Sequence, residues 1–166
     1  NNMDVILGQG TASKELIEQY GFFDHILVPI GGGGLVAGSA LAAKYFGDNC
    51  TVIGTEPFEV DDAYRSLISG KIETNISTNT IADGLRTQLG DKNFPIILNE
   101  VKKIIRITED EIIDSMKLIW QRLKIICEPS CSLPLAGILK NKNDFKGKKI
   151  GVVITGGNID LSNLPF

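Results

Sequence analysis

The sequence predicts an α/β fold, with three layers in which a mostly parallel, twisted sheet carries helices on both faces. Three observations predict this class. Short apolar runs rich in Val and Ile recur along the 166 residues, helical patterns separate them, and Gly, Pro or polar residues bound each run. Parallel strands need crossover helices, and helices on both faces leave the strands fully buried. We therefore expect residues 1–166 to form a single α/β unit.

The predicted strands are runs of four to seven residues that are apolar and rich in β-branched side chains. The only histidine, His25, opens one of these runs, and we expect its role to be structural. The runs are Asp4 to Leu7, His25 to Ile30, Thr51 to Thr55, Lys103 to Ile107, and Lys149 to Thr155.

The clearest predicted helix follows the segment "TEDE". Thr108 can cap this helix while Glu111 reaches back as its capping-box partner. An apolar stripe at helical spacing then predicts the buried face: Ile112, Ile113, Met116, Ile119, Trp120 and Leu123. Further helices are predicted at Thr11 to Tyr20, Leu35 to Phe46, Asp62 to Ser69, and Ser132 to Leu139, and the polar segment 70–80 is predicted to be a surface excursion.

Composition excludes several classes of function. The 17 basic and 20 acidic residues give a net charge of −3 without a basic patch, so nucleic acid is not an expected partner. No apolar run has the length of a membrane helix, and the start lacks the pattern of a signal peptide. The three cysteines lack a metal-site spacing with histidine and are predicted to be free thiols. We expect a cytoplasmic protein without membrane contact.

Four consecutive glycines, Gly31 to Gly34, follow a predicted strand and precede a predicted helix. Each glycine costs about 0.5 to 1 kcal/mol relative to alanine in regular structure, so a run of four needs a reason. Glycines let successive backbone N–H groups converge, and the helix that follows adds the positive end of its dipole. In an open α/β sheet, ligands lie beyond the carboxyl ends of the strands. The run therefore predicts a phosphate-binding loop.

The nature of the phosphate ligand stays open at this point. Gly32, Gly34 and Ala37 satisfy the pattern G-x-G-x-x-[GA], and Glu56 ends the next strand at the spacing of a ribose-binding acid. A dinucleotide-binding domain of an oxidoreductase, which would take NAD, is one alternative. A non-catalytic module that binds a phosphorylated ligand is another.

Five motifs in order narrow this choice: "VPIGGGGL", "GTEPFEVDDAYRS", "TIADGLR", "CEPSCS" and "VVITGGNIDL". Together they resemble the fold type II pyridoxal-phosphate enzymes, and most closely the serine racemases and serine/threonine dehydratases. The resemblance covers essentially the whole chain. It implies the large-domain portion of a fold like that of the tryptophan synthase β-subunit, and it matches the C-terminal half of the family polypeptide, with the N-terminal half absent.

The resemblance also implies the cofactor contacts. Gly31, Gly32, Gly33 and Gly34, with the amide of Leu35, would hold the phosphate of pyridoxal 5′-phosphate. The backbone near Gly84 would lie against the cofactor ring, and the hydroxyl of Thr155 would contact the pyridine nitrogen. Most relatives carry serine at the position of Thr155, and threonine keeps the hydroxyl. Glu128 in "CEPS" resembles a carboxylate near the active site, with a capping or structural role as the alternative.

Two further sites follow from the resemblance. The segment "EPFEVDD" has the form of a divalent-metal loop, in which Glu56, Asp62 and the carbonyl of Val60 would bind Mg²⁺ or Ca²⁺; hard oxygen ligands suit both ions. The alternative is an acidic helix start that stabilises the helix dipole. Lys124 and Asn158 match positions that contact a nucleotide effector, although Lys124 alone would also fit a solvated helix end.

The implied activity is racemization of serine or dehydration of L-serine or L-threonine by a homodimeric enzyme. In the family, the lysine that binds the cofactor lies in a Ser-x-Lys-Phe-Arg-type segment of the N-terminal half, and no such segment occurs here. We therefore name no catalytic residue and expect the chain alone to be inactive. The chain ends eight residues after Asn158, without the length of a C-terminal regulatory domain, so the threonine deaminases of isoleucine synthesis are not expected.

Overall fold

The computed structural model describes residues 1–166 and shows strands that alternate with helices. A single 3₁₀ turn, Asp83–Leu85, adds to them. In chain order the elements are α1 (Met3–Tyr20), β1 (His25–Pro29), α2 (Gly34–Phe46), β2 (Thr51–Pro57), α3 (Asp62–Ser69), α4 (Phe94–Glu100), β3 (Val101–Ile107), α5 (Glu109–Leu123), α6 (Pro129–Lys140), α7 (Lys142–Phe145) and β4 (Ile150–Val152).

The four strands form one parallel sheet in the order β3-β2-β1-β4. The chain moves outward from β1 through β2 to β3, and β4 then pairs with the opposite edge of β1. The carboxyl ends of β1 and β4 therefore flank a topological switch point, where open α/β sheets bind their ligands. The predicted fold class is confirmed.

The two faces of the sheet carry separate apolar clusters, which is what makes the fold three-layered. On β1, Ile26 and Val28 pack into the cluster built with α1, α2 and α4, whereas Leu27 packs into the one built with α5, α6 and α7. Successive strand residues point to opposite faces, so a run that is apolar throughout is buried on both sides.

The predicted strand at Asp4 to Leu7 is wrong, because these residues lie in the first turns of α1. The side chain of Asn2 accepts a hydrogen bond from the amide of Asp4 at 2.8 Å and so caps the helix. Only Ile6 of this run is buried, and the buried face continues at helical spacing through Gly10, Ser13 and Ile17. Gly10 on that face packs against Gly38 of α2, which explains why α1 tolerates a glycine at that position.

Two other predictions need correction, and one helix was not predicted. The strand predicted to reach Thr155 ends at Val152, although Val153 N–H still donates to the carbonyl of Leu27 at 3.3 Å. Helix α4, with Pro95 in its first turn, was not predicted. Leu123 in the predicted apolar stripe of α5 is exposed, and it is the last residue of the helix.

The remaining elements agree with the sequence. The capping box of Thr108 and Glu111 is present, and α3 has the bounds that were predicted. Segment 70–80 contains neither helix nor strand. His25 lies at the start of β1, where its Nδ1 is 2.6 Å from the hydroxyl of Thr51. The three cysteines are free thiols. No helix is both long enough and apolar enough to cross a membrane.

Candidate functional site

A cleft of about 240 Å³ opens at the carboxyl ends of β1 and β4. Every residue that was predicted to bind the cofactor lies on its wall. The lining residues are Gln9, Pro29, Gly31, Gly32, Gly33, Gly34, Leu35, Gly84, Leu85, Glu128, Ser130 and Thr155. A larger cavity of about 420 Å³ between α5 and α6 contains none of these predicted residues.

The glycine loop presents its backbone donors to this cleft. None of the backbone N–H groups from Gly31 to Leu35 donates a hydrogen bond to the chain itself. Two of them, those of Gly34 and Leu35, belong to the first turn of α2, whose dipole places partial positive charge there. Unpaired amides at a helix N-terminus form an anion-binding site. The arrangement suits a phosphate group.

The loop is held in this shape from behind. Gly33 has φ = +89°, a left-handed conformation in which a side chain would be strained. The carbonyl of Gly32 accepts hydrogen bonds from Gly90 N–H at 3.2 Å and from the side-chain amide of Asn93. The carbonyl of Gly32 is thus satisfied by the segment before α4, while the N–H groups of the glycine loop stay available to a ligand.

The opposite wall of the cleft comes from three separate segments. Gly84 lies in the 3₁₀ turn, and its carbonyl oxygen is 3.2 Å from the position that a Cβ at Gly31 would occupy. Thr155 follows β4 and is exposed. Glu128 immediately precedes α6, and its Oε2 accepts a hydrogen bond from Asn158 N–H at 3.0 Å. The cleft therefore joins residues that are far apart in sequence.

Glu56 does not line this cleft. Its two carboxylate oxygens accept hydrogen bonds from the backbone N–H groups of Ala63 at 3.0 Å and Tyr64 at 2.9 Å, so Glu56 caps α3 from the end of β2. Burial raises the pKa of Glu56 well above its usual range, and the nearby carboxyl of Asp62 adds to the rise. This placement removes the ribose-binding role that the dinucleotide alternative required.

Asp62 is the second predicted metal ligand, and only one of its two carboxylate oxygens has a hydrogen-bond partner. Its Oδ2 accepts a hydrogen bond from Leu89 N–H at 2.8 Å, but its buried Oδ1 has no partner. Burial raises the pKa of Asp62. The carbonyl of Val60 receives no backbone hydrogen bond. No cluster of three or more His, Cys, Asp or Glu side chains is placed to hold a metal, but two carboxylates and a carbonyl are oxygen donors of the kind Mg²⁺ and Ca²⁺ bind.

Asp61, the other acid of this loop, is neutralised by arginine. Its two oxygens pair with Arg65 Nε at 2.8 Å and Arg106 Nη1 at 2.9 Å. The Arg106 guanidinium also lies over two rings, 4.4 Å from the centre of Phe58 and 4.2 Å from that of Tyr64. Both carboxylate oxygens of Asp61 are therefore paired, whereas the adjacent Asp62 keeps one unpaired oxygen.

The loop of the predicted metal site and the glycine loop are connected through two consecutive residues, Leu89 and Gly90. Leu89 N–H donates to Asp62, and the next N–H, that of Gly90, donates to the carbonyl of Gly32. A change at the carboxylate of Asp62 can therefore reach the back of the glycine loop through one short segment.

The two predicted effector residues differ in their relation to the cavity beside Asp83. Asn158 lines a cavity of about 550 Å³ that also includes Asp83 and Arg86, whereas Lys124 is not among the residues of that cavity. Lys124 ends α5 in a left-handed conformation with φ = +59°, and its side chain is exposed.

Sequence reasoning missed several residues of the cleft, among them Gln9 and Ser130. Gln9 lies in the segment "VILGQGT", which belonged to the resemblance, but its helix was partly predicted as a strand. Ser130 lies in the motif "CEPS", in which only Glu128 was considered. The motifs contained the signal, but the tertiary arrangement was needed to show which side chains face the cleft.

Comparison with known proteins gives one family. The family model described as "Pyridoxal-phosphate dependent enzyme" matches residues 1–156. A β-hydroxyaspartate dehydratase from Paracoccus denitrificans is 46% identical over 166 residues, which is 100% of this chain and 53% of that protein. An L-threo-3-hydroxyaspartate ammonia-lyase from Saccharomyces cerevisiae is 43% identical over 159 residues, which is 95% of this chain and 49% of that protein.

A serine racemase from Dictyostelium discoideum is 49% identical over 170 residues, which is 99% of this chain and 52% of that protein. Its crystal structure superimposes with a TM-score of 0.90 at 50% identity, covering 96% of this chain and 52% of the racemase chain. The chain thus spans about half the length of the curated relatives that it matches.

Proposed function

Because the chain belongs to the family of pyridoxal-phosphate-dependent enzymes, we propose that its cleft binds pyridoxal 5′-phosphate as part of a racemase or dehydratase of β-hydroxy amino acids. The chain would be the C-terminal half of that enzyme. One observation carries the proposal: the N–H groups from Gly31 to Leu35 are unpaired and line a cleft at the topological switch point.

Each wall of the cleft would have a separate role. The amides of the glycine loop would bind the phosphate, the backbone at Gly84 would lie against the ring, and the hydroxyl of Thr155 would contact the pyridine nitrogen. A hydroxyl, unlike a carboxylate, does not favour protonation of the ring. When bound, the cofactor withdraws electrons from Cα of the amino acid and makes its proton more acidic.

The substrates that the resemblance implies are L-serine and L-threonine, and two relatives named for hydroxyaspartate widen the class. All three amino acids carry a hydroxyl group on Cβ. Return of the Cα proton from the other face gives the D-isomer, whereas loss of the β-hydroxyl leads to a 2-oxo acid and ammonia. We place the lysine that binds the cofactor in the N-terminal half, so the chain alone would be inactive.

A chimera tests this function. The C-terminal half of the Dictyostelium serine racemase is replaced by this chain, the purified protein is loaded with cofactor, and D-serine, ammonia and 2-oxo acids are measured with L-serine, L-threonine and hydroxyaspartate. We expect turnover of at least one substrate by the chimera and none by the chain alone. A folded, cofactor-loaded chimera that releases no product from any of the three would contradict the proposal.

We also propose that Glu56, Asp62 and the Val60 carbonyl bind Mg²⁺ or Ca²⁺, with water completing the coordination. The unpaired Oδ1 of buried Asp62 supports this assignment, as does the raised pKa of both carboxyl groups, because a cation would offset their repulsion and desolvation. The connection through Leu89 and Gly90 would let the ion stabilise the glycine loop.

Saturating Ca²⁺ or Mg²⁺ should raise the melting temperature of the chain by about 5 °C or more. Asp62→Asn should abolish this gain, because it removes the unpaired carboxylate oxygen. Glu59→Gln, which removes one exposed negative charge from the same loop, should keep it. The gain should be larger near pH 8 than near about pH 5.5, since protons compete with the metal at carboxyl groups of raised pKa. Equal gains in wild type and Asp62→Asn would leave only the helix-start interpretation.

The homodimer and the nucleotide effector that the resemblance implies both remain predictions. Sedimentation of the chain and of the chimera tests the homodimer. Titration with ATP tests the effector site, where exchange of Asn158 or Lys124 for alanine should weaken binding.

A further inference from the structure

Ser130 has a buried hydroxyl that nothing in the chain satisfies. The residue occupies the first turn of α6, is 3% exposed, and its Oγ has no hydrogen-bond partner. Two residues further on, Ser132 is equally buried, but its Oγ lies 2.9 Å from the carbonyl oxygen of Pro129 and 3.1 Å from that of Ile112. The two serines share a helix and differ in whether the fold supplies a partner.

The unpaired hydroxyl faces the cleft. Ser130 is one of the lining residues, and its Oγ is 3.0 Å from the position that a Cβ at Gly84 would occupy. Burying a hydroxyl without a partner is unfavourable, so native proteins rarely leave one in this state unless a ligand or water completes it. Ser130 also lies at the N-terminus of a 12-residue helix, where the dipole favours an electron-rich acceptor.

Ser130 lines the same cleft as the glycine loop but belongs to a different segment, α6. The amides from Gly31 to Leu35 already offer a full set of donors for a phosphate group. Ser130 instead adjoins Gly84, on the wall that also holds Glu128 and Thr155. A phosphorylated pyridine bound with its phosphate on the glycine loop would extend its ring toward this wall.

We propose that the Ser130 hydroxyl forms a hydrogen bond with the pyridine-ring portion of bound pyridoxal phosphate, as a contact additional to that of Thr155. This inference rests on the proposed function, because it requires the cofactor to occupy the cleft. A hydroxyl both donates and accepts, so Ser130 can serve the phenolic oxygen attached to the ring or the ring nitrogen.

The test compares two serine variants in the intact chain. Pyridoxamine 5′-phosphate is the probe, because it lacks the aldehyde that would react with surface lysines, and calorimetry gives its affinity. Ser130→Ala should bind the probe about tenfold more weakly than wild type, whereas its affinity for inorganic phosphate should be unchanged. Without ligand, Ser130→Ala should melt at the wild-type temperature or above it, since an unsatisfied polar group has been removed.

Ser132→Ala is the matched control, with the opposite expected result. It should melt at a lower temperature, because its hydroxyl is satisfied within the fold, and it should bind the probe with wild-type affinity. In wild type, the NMR signal of the Ser130 amide should move with the probe and not with inorganic phosphate.

The outcomes separate this inference from the proposed function. Equal affinity of wild type and Ser130→Ala for the probe would overturn the role of Ser130 and leave the cofactor cleft in place. A loss of stability in Ser130→Ala as large as that in Ser132→Ala would also overturn it, because the hydroxyl would then have a partner in the fold. Absence of probe binding by wild type would overturn the proposed function itself.

Discussion

Replacing Gly38 with alanine is expected to lower the free energy of unfolding by about 3 kcal/mol or more. The added Cβ would lie 2.2 Å from the carbonyl oxygen of Ile6 and 2.6 Å from the backbone nitrogen of Gly10. Both are backbone atoms of α1, so α1 and α2 would have to move apart. Urea denaturation measures the effect.

Gly8 provides the matched control on α1. A Cβ at Gly8 would meet no atom within 4 Å, so Gly8→Ala should stabilise the chain by about 0.5 to 1 kcal/mol through helix propensity alone. A Gly38→Ala variant as stable as Gly8→Ala would contradict the close packing of α1 on α2. That packing matters for the site, because the first turn of α2 carries part of the glycine loop.

Gly33→Ala is expected to damage both the fold and the cleft. The residue has φ = +89°, and its added Cβ would lie 2.9 Å from the side chains of Ile97 and Leu89. The left-handed conformation alone costs an L-residue about 1 to 2 kcal/mol, and crowding adds to it. Affinity for pyridoxamine 5′-phosphate should fall by about tenfold or more, because the neighbouring amides would no longer converge.

Gly34→Ala separates the two effects. A Cβ at Gly34 would meet no atom within 4 Å, so the melting temperature should not fall, whereas the methyl group should take up room that the phosphate needs. Denaturation and calorimetry on both variants test this. Wild-type affinity in Gly33→Ala would contradict the assignment of the loop as the phosphate site.

Local signals explain most of the fold that the sequence predicted. Helix α3 and the capping box of α5 were predicted because the stabilising contacts lie within a few residues of one another. The first turns of α1 were misread because their pattern is set by a distant contact. Gly10 lies in the helix because it packs against Gly38, and alternation in a short apolar run cannot reveal such a partner.

The residues of the site likewise differ in whether neighbouring sequence could predict them. The glycine loop could be predicted because strand, glycines and helix are consecutive, and the structure places them at the switch point between β1 and β4. Ser130 and Gln9 could not be chosen from neighbouring residues, since only the packing of α6 and α1 brings them to the cleft. Glu56 shows the converse. Its spacing suited a ribose-binding acid, but its carboxylate lies outside the cleft, at the amides of Ala63 and Tyr64.

The most direct test of the central claim is an NMR titration of the ¹⁵N-labelled chain with pyridoxamine 5′-phosphate. Saturable shifts are predicted at the amides from Gly31 to Leu35, at Gly84 and at Thr155, with no comparable shifts from unphosphorylated pyridoxamine or from NAD. Absence of saturable shifts at the glycine loop, or shifts there with NAD alone, would contradict a cleft built for pyridoxal phosphate.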